Sequence, residues 1–284
     1  MIELKHEPDR AEVLWWEGRV LCRYVYRSDA PEVEAPRPYF HPLNSLSGET
    51  LTNFRPNDHP WHHGLSMTLN NVSGTNFWGG PTCLRGQGYQ LLKNQGTQHH
   101  VAWRRLEVSR DTANFEQTLA WKREDDVLLT ESRTITIAVN APEKSWSLRW
   151  ISQLTNVSGR VLSMGNPHST AGLAGSHYTG LAFRGARELL DDHLDPTIKI
   201  IADGNREGVA AVHGASARWM EWHGQLDTTL QRVKIRFESN SGPVHWFVRR
   251  PAPLMAFPFQ FDQNLEVPPG DKLERDHTLT FTEV

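Results

Sequence analysis

Residues 55–67 read RPNDHPWHHGLSM and place Asp58, His59, His62 and His63 within six consecutive positions. Imidazole titrates near neutrality, and each ring can donate at one nitrogen while a neighbour holds the other. Such a cluster beside two prolines suits proton transfer or metal binding. As a metal site, His59-x-x-His62-His63 offers imidazoles with Asp58 as a carboxylate, and His41 or His168 as more distant ligands. Against this, neighbouring residues on extended backbone face apart, so only one of His62 and His63 can join His59. The proton-transfer reading is therefore preferred. In it His63, just before Gly64 and a strand, lines the cleft, while His62 is held by a loop contact or by Asp58. The bland alternative is that Asp58 and His59 cap the loop.

Further candidates repeat this pattern of a polar side chain at a strand end. LTNVSGRVLSMGNPHSTAGL (154–173) carries His168 in a short turn after a strand, with Pro167 fixing the approach and Ser169 and Thr170 offering orienting hydroxyls. Arg184, closing GLAFR, can stabilise a developing oxyanion or pair with Glu188 or Asp191. Arg37 and His41 lie in PRPYFHP, on a loop expected to wrap toward the same cleft, and Tyr178 is a candidate to cover it, with a packing role preferred. Glu221, in RWMEWHGQLD, is a candidate base or a solvated strand carboxylate.

The elements that must position these residues read as strands. Residues 11–27 alternate apolar and polar around a Glu17-Gly18 turn, and 99–125 do so around Asp111. Stretches 127–139, 146–158, 228–240 and 244–250 follow with period two, which puts one face on a core and one in water. Only 186–194 suggests a turn or two of helix. Long loops at 28–64, 74–98 and 163–180 hold 8 of the 17 prolines and 6 of the 14 histidines, and loops of that length usually build a site. With no repeat or low-complexity linker, residues 1–284 read as one all-β domain, a large antiparallel sandwich.

Composition narrows the function classes. The 284 residues are 38% hydrophobic and 22% charged with a net charge of −3, which gives no electrostatic footprint for nucleic acid. The 11 tryptophans either pack the core or present faces for sugar rings. Two cysteines without metal spacing, no signal-like N-terminus and no apolar span point to a reduced, cytoplasmic protein without a membrane partner.

RPYFHPLNSLSGETLTNFRPNDHPWHHGL, GLAFR, PVHWFVRR and PPGDKLERDHTLTF together resemble the PmoA-like (DUF6807-type) family over nearly the whole chain. Relatives usually carry His-His-Arg/Lys before the glycine, where this chain has Trp61-His62-His63. The name implies methane oxidation, but a membrane oxygenase subunit needs spanning helices, and the sequence contains none. A looser resemblance is to galactose mutarotase-like proteins, through LTNVSG…PHST at His168, HHGL at His63 and the closing LEVPPGDKL. That resemblance implies a mutarotase-like supersandwich and histidine acid/base chemistry on a sugar. The family's glutamate base has no counterpart in PLMAFPFQFDQ, where Asp262 comes later and Glu221 is the substitute. The expectation is a carbohydrate-active enzyme using His63, His168, Arg184 and Glu221 on a sugar or keto-sugar. Elimination, epimerisation or a hydrolytic step would suit it, with no cofactor and a small-molecule carbohydrate as partner. The alternatives are a metal-dependent enzyme using His59, His62, His63 and His168, and a non-catalytic sugar-binding protein.

Overall fold

A computed structural model describes residues 1–284 apart from Trp16, Asp192 and Leu194. It is 54% strand and 5% helix, far below the roughly 30% helix of an average domain. An eight-stranded antiparallel sheet runs in the order Ile2–His6, Arg10–Trp15, Arg19–Val25, Tyr39–Leu43, Leu65–Thr68, Gly180–Arg184, Leu254–Phe257, Phe247–Arg249. A nine-stranded sheet runs Arg206–Glu207, Lys199–Ala202, Trp219–Gln225, Arg232–Ser239, Lys272–Glu283, Ser145–Asn156, Asp126–Asn140, Thr112–Arg123, Thr97–Val108. The fold is thus the all-β antiparallel sandwich expected from the period-two alternation.

The hairpins fall where the turn residues require. Arg10–Trp15 pairs with Arg19–Val25 across Glu17 and Gly18, both at positive φ (55° and 77°). Between the sheets lies a core in which Tyr24 stacks on Phe40 at 4.6 Å and meets Trp150 edge-on at 6.3 Å. Trp121, Trp146, Trp150, Trp222 and Trp246 are fully buried, so much of the tryptophan serves packing. Into this core the long strands also send one charged pair. Glu131 accepts from Arg133 at 2.7 and 2.8 Å and from Trp121 Nε1 at 2.8 Å, and Arg133 donates to the Tyr24 hydroxyl at 2.8 Å. Nearly every polar atom of the pair is satisfied, the condition under which buried charge is tolerated.

Four strands of the eight-stranded sheet are covered on both faces. Leu65, Met67, Leu181, Phe183, Met255 and Phe257 point into the sandwich core. Their alternates Ala182, Leu254 and Ala256 join Trp78 and Phe247 in a second cluster, against which Trp61 and Tyr178 pack. The loops at 28–64, 74–98 and 163–180 supply this outer cover. The expected helix at 186–194 is a single 3-10 turn, Arg187–Leu189; its Asp192 and Leu194 lie outside the described residues.

Candidate functional site

On the outer face of the eight-stranded sheet, the loops leave a cavity of about 530 Å³. Strand residues Arg184, Phe247, Arg249 and Leu254 form its floor, and Trp61, Trp78, Tyr89 and Tyr178 form aromatic walls. The loop reaches this floor through Gly64, at φ 51°, where a Cβ would collide with the Phe40 carbonyl oxygen. Gly80, at φ 65°, admits the Trp61 ring against its backbone in the same way.

The opening stretch delivers Asp58, His59 and His62 to the cavity but not His63. Arg184 Nη2 faces both Asp58 carboxylate oxygens at 3.3 Å, and its Nη1 donates to His62 Nδ1 at 3.1 Å. Guanidinium nitrogens cannot accept, so His62 must present its Nδ1 lone pair and carry its proton on Nε2. Asp58 Oδ2 accepts from His59 Nδ1 at 2.7 Å, so the neutral form of this ring is the opposite tautomer, with its lone pair on Nε2. The two rings stack, with centroids 4.8 Å apart at 21°. Burial, followed by the charge of Arg184, pushes the His62 pKa well below its ordinary value, so this ring is neutral. Burial raises Asp58, but the hydrogen bond from His59 and the charge of Arg184 outweigh it and hold the carboxyl ionised. Asp58 is thus the partner of Arg184, in place of the expected Glu188 or Asp191.

His63 faces the other way, as adjacent residues on extended backbone must. It is 1% exposed, and its Nε2 donates to Glu34 Oε2 at 2.8 Å while Arg55 holds Oε1 at 2.7 Å. Burial and the charge of Arg37 push it down to about 2, leaving a neutral ring between Tyr39 and Phe54. The expectation that His63 lines the cleft and His62 is merely held is therefore corrected. Arg37 is also spent on structure: it donates to the Glu34, Ala35 and Trp61 carbonyls at 2.6–2.9 Å and to Ser66 Oγ at 3.1 Å. Its burial lowers it to about 9. Arg37 walls a void of about 10 Å³ beneath the cavity rather than the cavity itself.

The remaining candidates are dispersed. His168 sits on a short helix, Pro167–Ala171, with Nε2 3.2 Å from Asp262 Oδ1, and shares no partner or cavity with His63. Ser169 and Thr170 do not orient it, because their hydroxyls bond back to Asn166 in a capping box and side-chain cap. The expected convergence of His63 and His168 is not found. Glu221 belongs to the nine-stranded sheet, where Arg236 at 2.8 Å and His223 at 2.9 Å occupy it. There it is a cross-strand ion-pair partner, since its neighbours Met220 and Trp222 take the core-facing positions. His41 bonds Thr52 Oγ1 at 2.9 Å and lines a separate cavity of about 470 Å³. Tyr178 lines the cavity and packs as well, its ring 4.7 Å from that of Trp78 and its hydroxyl 3.1 Å from that of Tyr89. Among the described residues, no group of three or more His, Cys, Asp or Glu side chains is arranged to hold a metal ion. The four metal candidates are divided between Arg184, Glu34, Asp58 and Asp262.

Trp78, Glu34 and Arg249 were missed by sequence reasoning. Arg249 follows Phe247 and Val248 in the strand VHWFVRR, whose alternation with Val248 in the core was the available signal.

Comparison with known proteins adds the following. No curated protein matches the chain. Among solved structures it is similar to the galactosidase domain of an alpha-galactosidase–sucrose kinase (7% identity, TM-score 0.44), covering 99% of this chain and 42% of that one. It is similar to a galactose mutarotase related enzyme from Lactobacillus acidophilus (7% identity, TM-score 0.33, 100% and 97% covered). A Synechocystis protein shows 12% identity and a TM-score of 0.38, with 100% and 95% covered. No helix among the described residues is long and apolar enough to cross a membrane. Residues 13–283 match one family over nearly their whole length, and the chain belongs to it: the family of unknown function DUF6807.

Proposed function

We propose that the cavity binds a sugar or keto-sugar and moves a proton on it. The observation that carries this reading is the linked set His59–Asp58–Arg184–His62, which fixes two stacked imidazoles in opposite tautomers on one wall. His59 offers a lone pair, held in place by Asp58, and His62 offers a neutral N–H, held in place by Arg184. A base and a hydrogen-bond donor side by side are what proton abstraction next to a carbonyl requires. His59 Nε2 takes the proton from carbon, and the bonding electron pair moves onto the carbonyl oxygen. His62 Nε2–H, backed by the Arg184 charge, meets the oxyanion that forms. Return of the proton to either face gives back substrate or its epimer, and loss of a β-substituent gives elimination. The aromatic walls offer apolar faces for the C–H surfaces of a sugar ring.

Incubation with a panel of aldoses, ketoses and keto-sugars in D2O, followed by NMR, tests the reading. Deuterium entering beside the carbonyl of one of them is expected, together with its loss in His59→Ala. Tight sugar binding without exchange or turnover would favour a non-catalytic sugar-binding protein.

A further inference from the structure

The cavity is electrostatically unbalanced. Its walls carry two guanidinium groups, Arg184 and Arg249, against one carboxylate, Asp58. Asp58 is committed to Arg184. Arg249 has only neutral partners: Nη1 lies 3.3 Å from the Val248 carbonyl and 3.2 Å from His213 Nδ1, and Nη2 donates to the Gly175 carbonyl at 3.1 Å. Its guanidinium lies 4.5 Å over the Phe247 ring. Among the described residues no acidic side chain forms an ion pair with it. A cation held in place by carbonyls and a ring, with its charge unanswered, is set to receive an anion.

Its surroundings reinforce that reading. The Tyr89 and Tyr178 hydroxyls share a hydrogen bond, Asn70 also bonds the Tyr178 hydroxyl, and Ser176 adds another hydroxyl to the cavity lining. The contacts also order the cavity. Trp78 meets His62 at 5.5 Å and Tyr178 at 4.7 Å, and Tyr178 meets Phe247 at 5.6 Å. The proton-transfer set and Arg249 therefore stand on either side of a Trp78–Tyr178 wall that a sugar ring would cover.

We infer that the ligand is an acidic sugar, with its anionic group on Arg249 and its reacting carbon at His59 and His62. This rests on the proposed sugar reading of the cavity. One uncommitted guanidinium, with no lysine in the lining, balances the single charge of a carboxylate but not the nearly double charge of a phosphate monoester, so a sugar acid is favoured over a sugar phosphate.

Titration calorimetry with matched pairs tests it: D-glucuronate against D-glucose, D-galacturonate against D-galactose, and D-glucose 6-phosphate. The full chain, Arg249→Gln and Arg249→Lys are compared after their melting curves are matched. At least one uronate is expected to bind about tenfold or more tightly than its neutral partner, the worth of one charge-assisted hydrogen bond. That ratio should fall to about one in Arg249→Gln, take an intermediate value in Arg249→Lys, which keeps the charge without the planar fork, and shrink with added salt. Equal binding of uronate and neutral sugar, or a preference that survives Arg249→Gln, overturns the inference while leaving the sugar reading standing. Tighter binding of the phosphate overturns the carboxylate assignment. If no sugar binds, acidic or neutral, the sugar reading falls and the inference with it.

Discussion

His62 and His63 are adjacent, alike and both nearly buried, so alanine substitution at each separates a functional ring from a structural one. His63→Ala removes the donor to Glu34 Oε2, a carboxylate itself 2% exposed, although Arg55 still holds the other oxygen. A hydrogen bond to a buried charge is worth about 1.5–3 kcal/mol. Emptying the space between Tyr39 and Phe54, each 5.1 Å from the ring, adds about 2 kcal/mol of lost packing. The sum is about 4 kcal/mol, which lowers the melting temperature by roughly 10 °C in a chain of this size. His62→Ala opens instead into an existing cavity that water can fill, and Arg184 keeps Asp58. Its stability cost is about 1 kcal/mol, or roughly 2–4 °C. Losing the donor to the oxyanion should slow proton exchange about 10²–10³-fold. Scanning calorimetry and deuterium incorporation, run on both variants, give the comparison. A His63→Ala protein that melts like the parent but is inactive refutes the assignment, as does a His62→Ala protein with full exchange.

Other expectations follow from the same geometry. His41, His63, His177 and His277 are held down to about 4, 2, 4 and 3, in each case chiefly by burial. The unfolded chain takes up protons below about pH 6.5 while the folded one does not, so stability is full above that pH. It falls as the pH drops toward about 4, by about 1.4 kcal/mol per unit for each histidine, which urea unfolding at pH 7 and pH 5 will show. His277 stacks on Phe257 at 4.1 Å with neither ring nitrogen partnered, so His277→Leu should keep the pH 7 stability and flatten this slope. Glu131→Ala strips Arg133 of its carboxylate in the sandwich core and should cost about 3–5 kcal/mol in the same assay. Glu221→Gln should leave deuterium exchange unchanged, because its partners Arg236 and His223 lie on the nine-stranded sheet, away from the cavity.

What the sequence made legible is what strand periodicity encodes. Stretches such as TESRTITIAV and RVKIRFES alternate with period two and lie in Asp126–Asn140 and Arg232–Ser239 with alternate residues buried. GLAFR alternates less visibly, because the sheet is covered on its second face and Ala182 is apolar like Leu181 and Phe183. Arg184 breaks that pattern, and its charge at an otherwise apolar strand end was a signal for a site. Which of two adjacent histidines faces the cavity was not legible. Extended backbone says that they diverge, not in which direction, and the direction is set by Glu34, 29 residues from His63. Glu34 itself lies in a run of loop acids, Glu32 and Glu34, that reads as solvated surface.

The tautomers carry the same lesson into the chemistry. A histidine's role depends on which nitrogen holds the proton, and that is decided by its partner rather than by its own sequence context. His59 finds its partner next door in Asp58, so a local reading could treat the pair only as a loop cap. His62 finds its partner in Arg184, 122 residues away, on a strand that reaches the loop only once the eight-stranded sheet has formed. The ion pair of Arg184 with Asp58 then couples the two assignments, because the group that orients one ring also holds the group that orients the other. Arg184→Met should therefore disturb both rings, releasing the His62 tautomer and loosening Asp58 on His59. In nitrogen NMR of the imidazoles, His62 should change from one tautomer to a mixture while His63, held by Glu34, keeps its signals. An unchanged His62 spectrum in Arg184→Met would mean that something other than the guanidinium sets its proton, and the complementary pair would lose its physical basis.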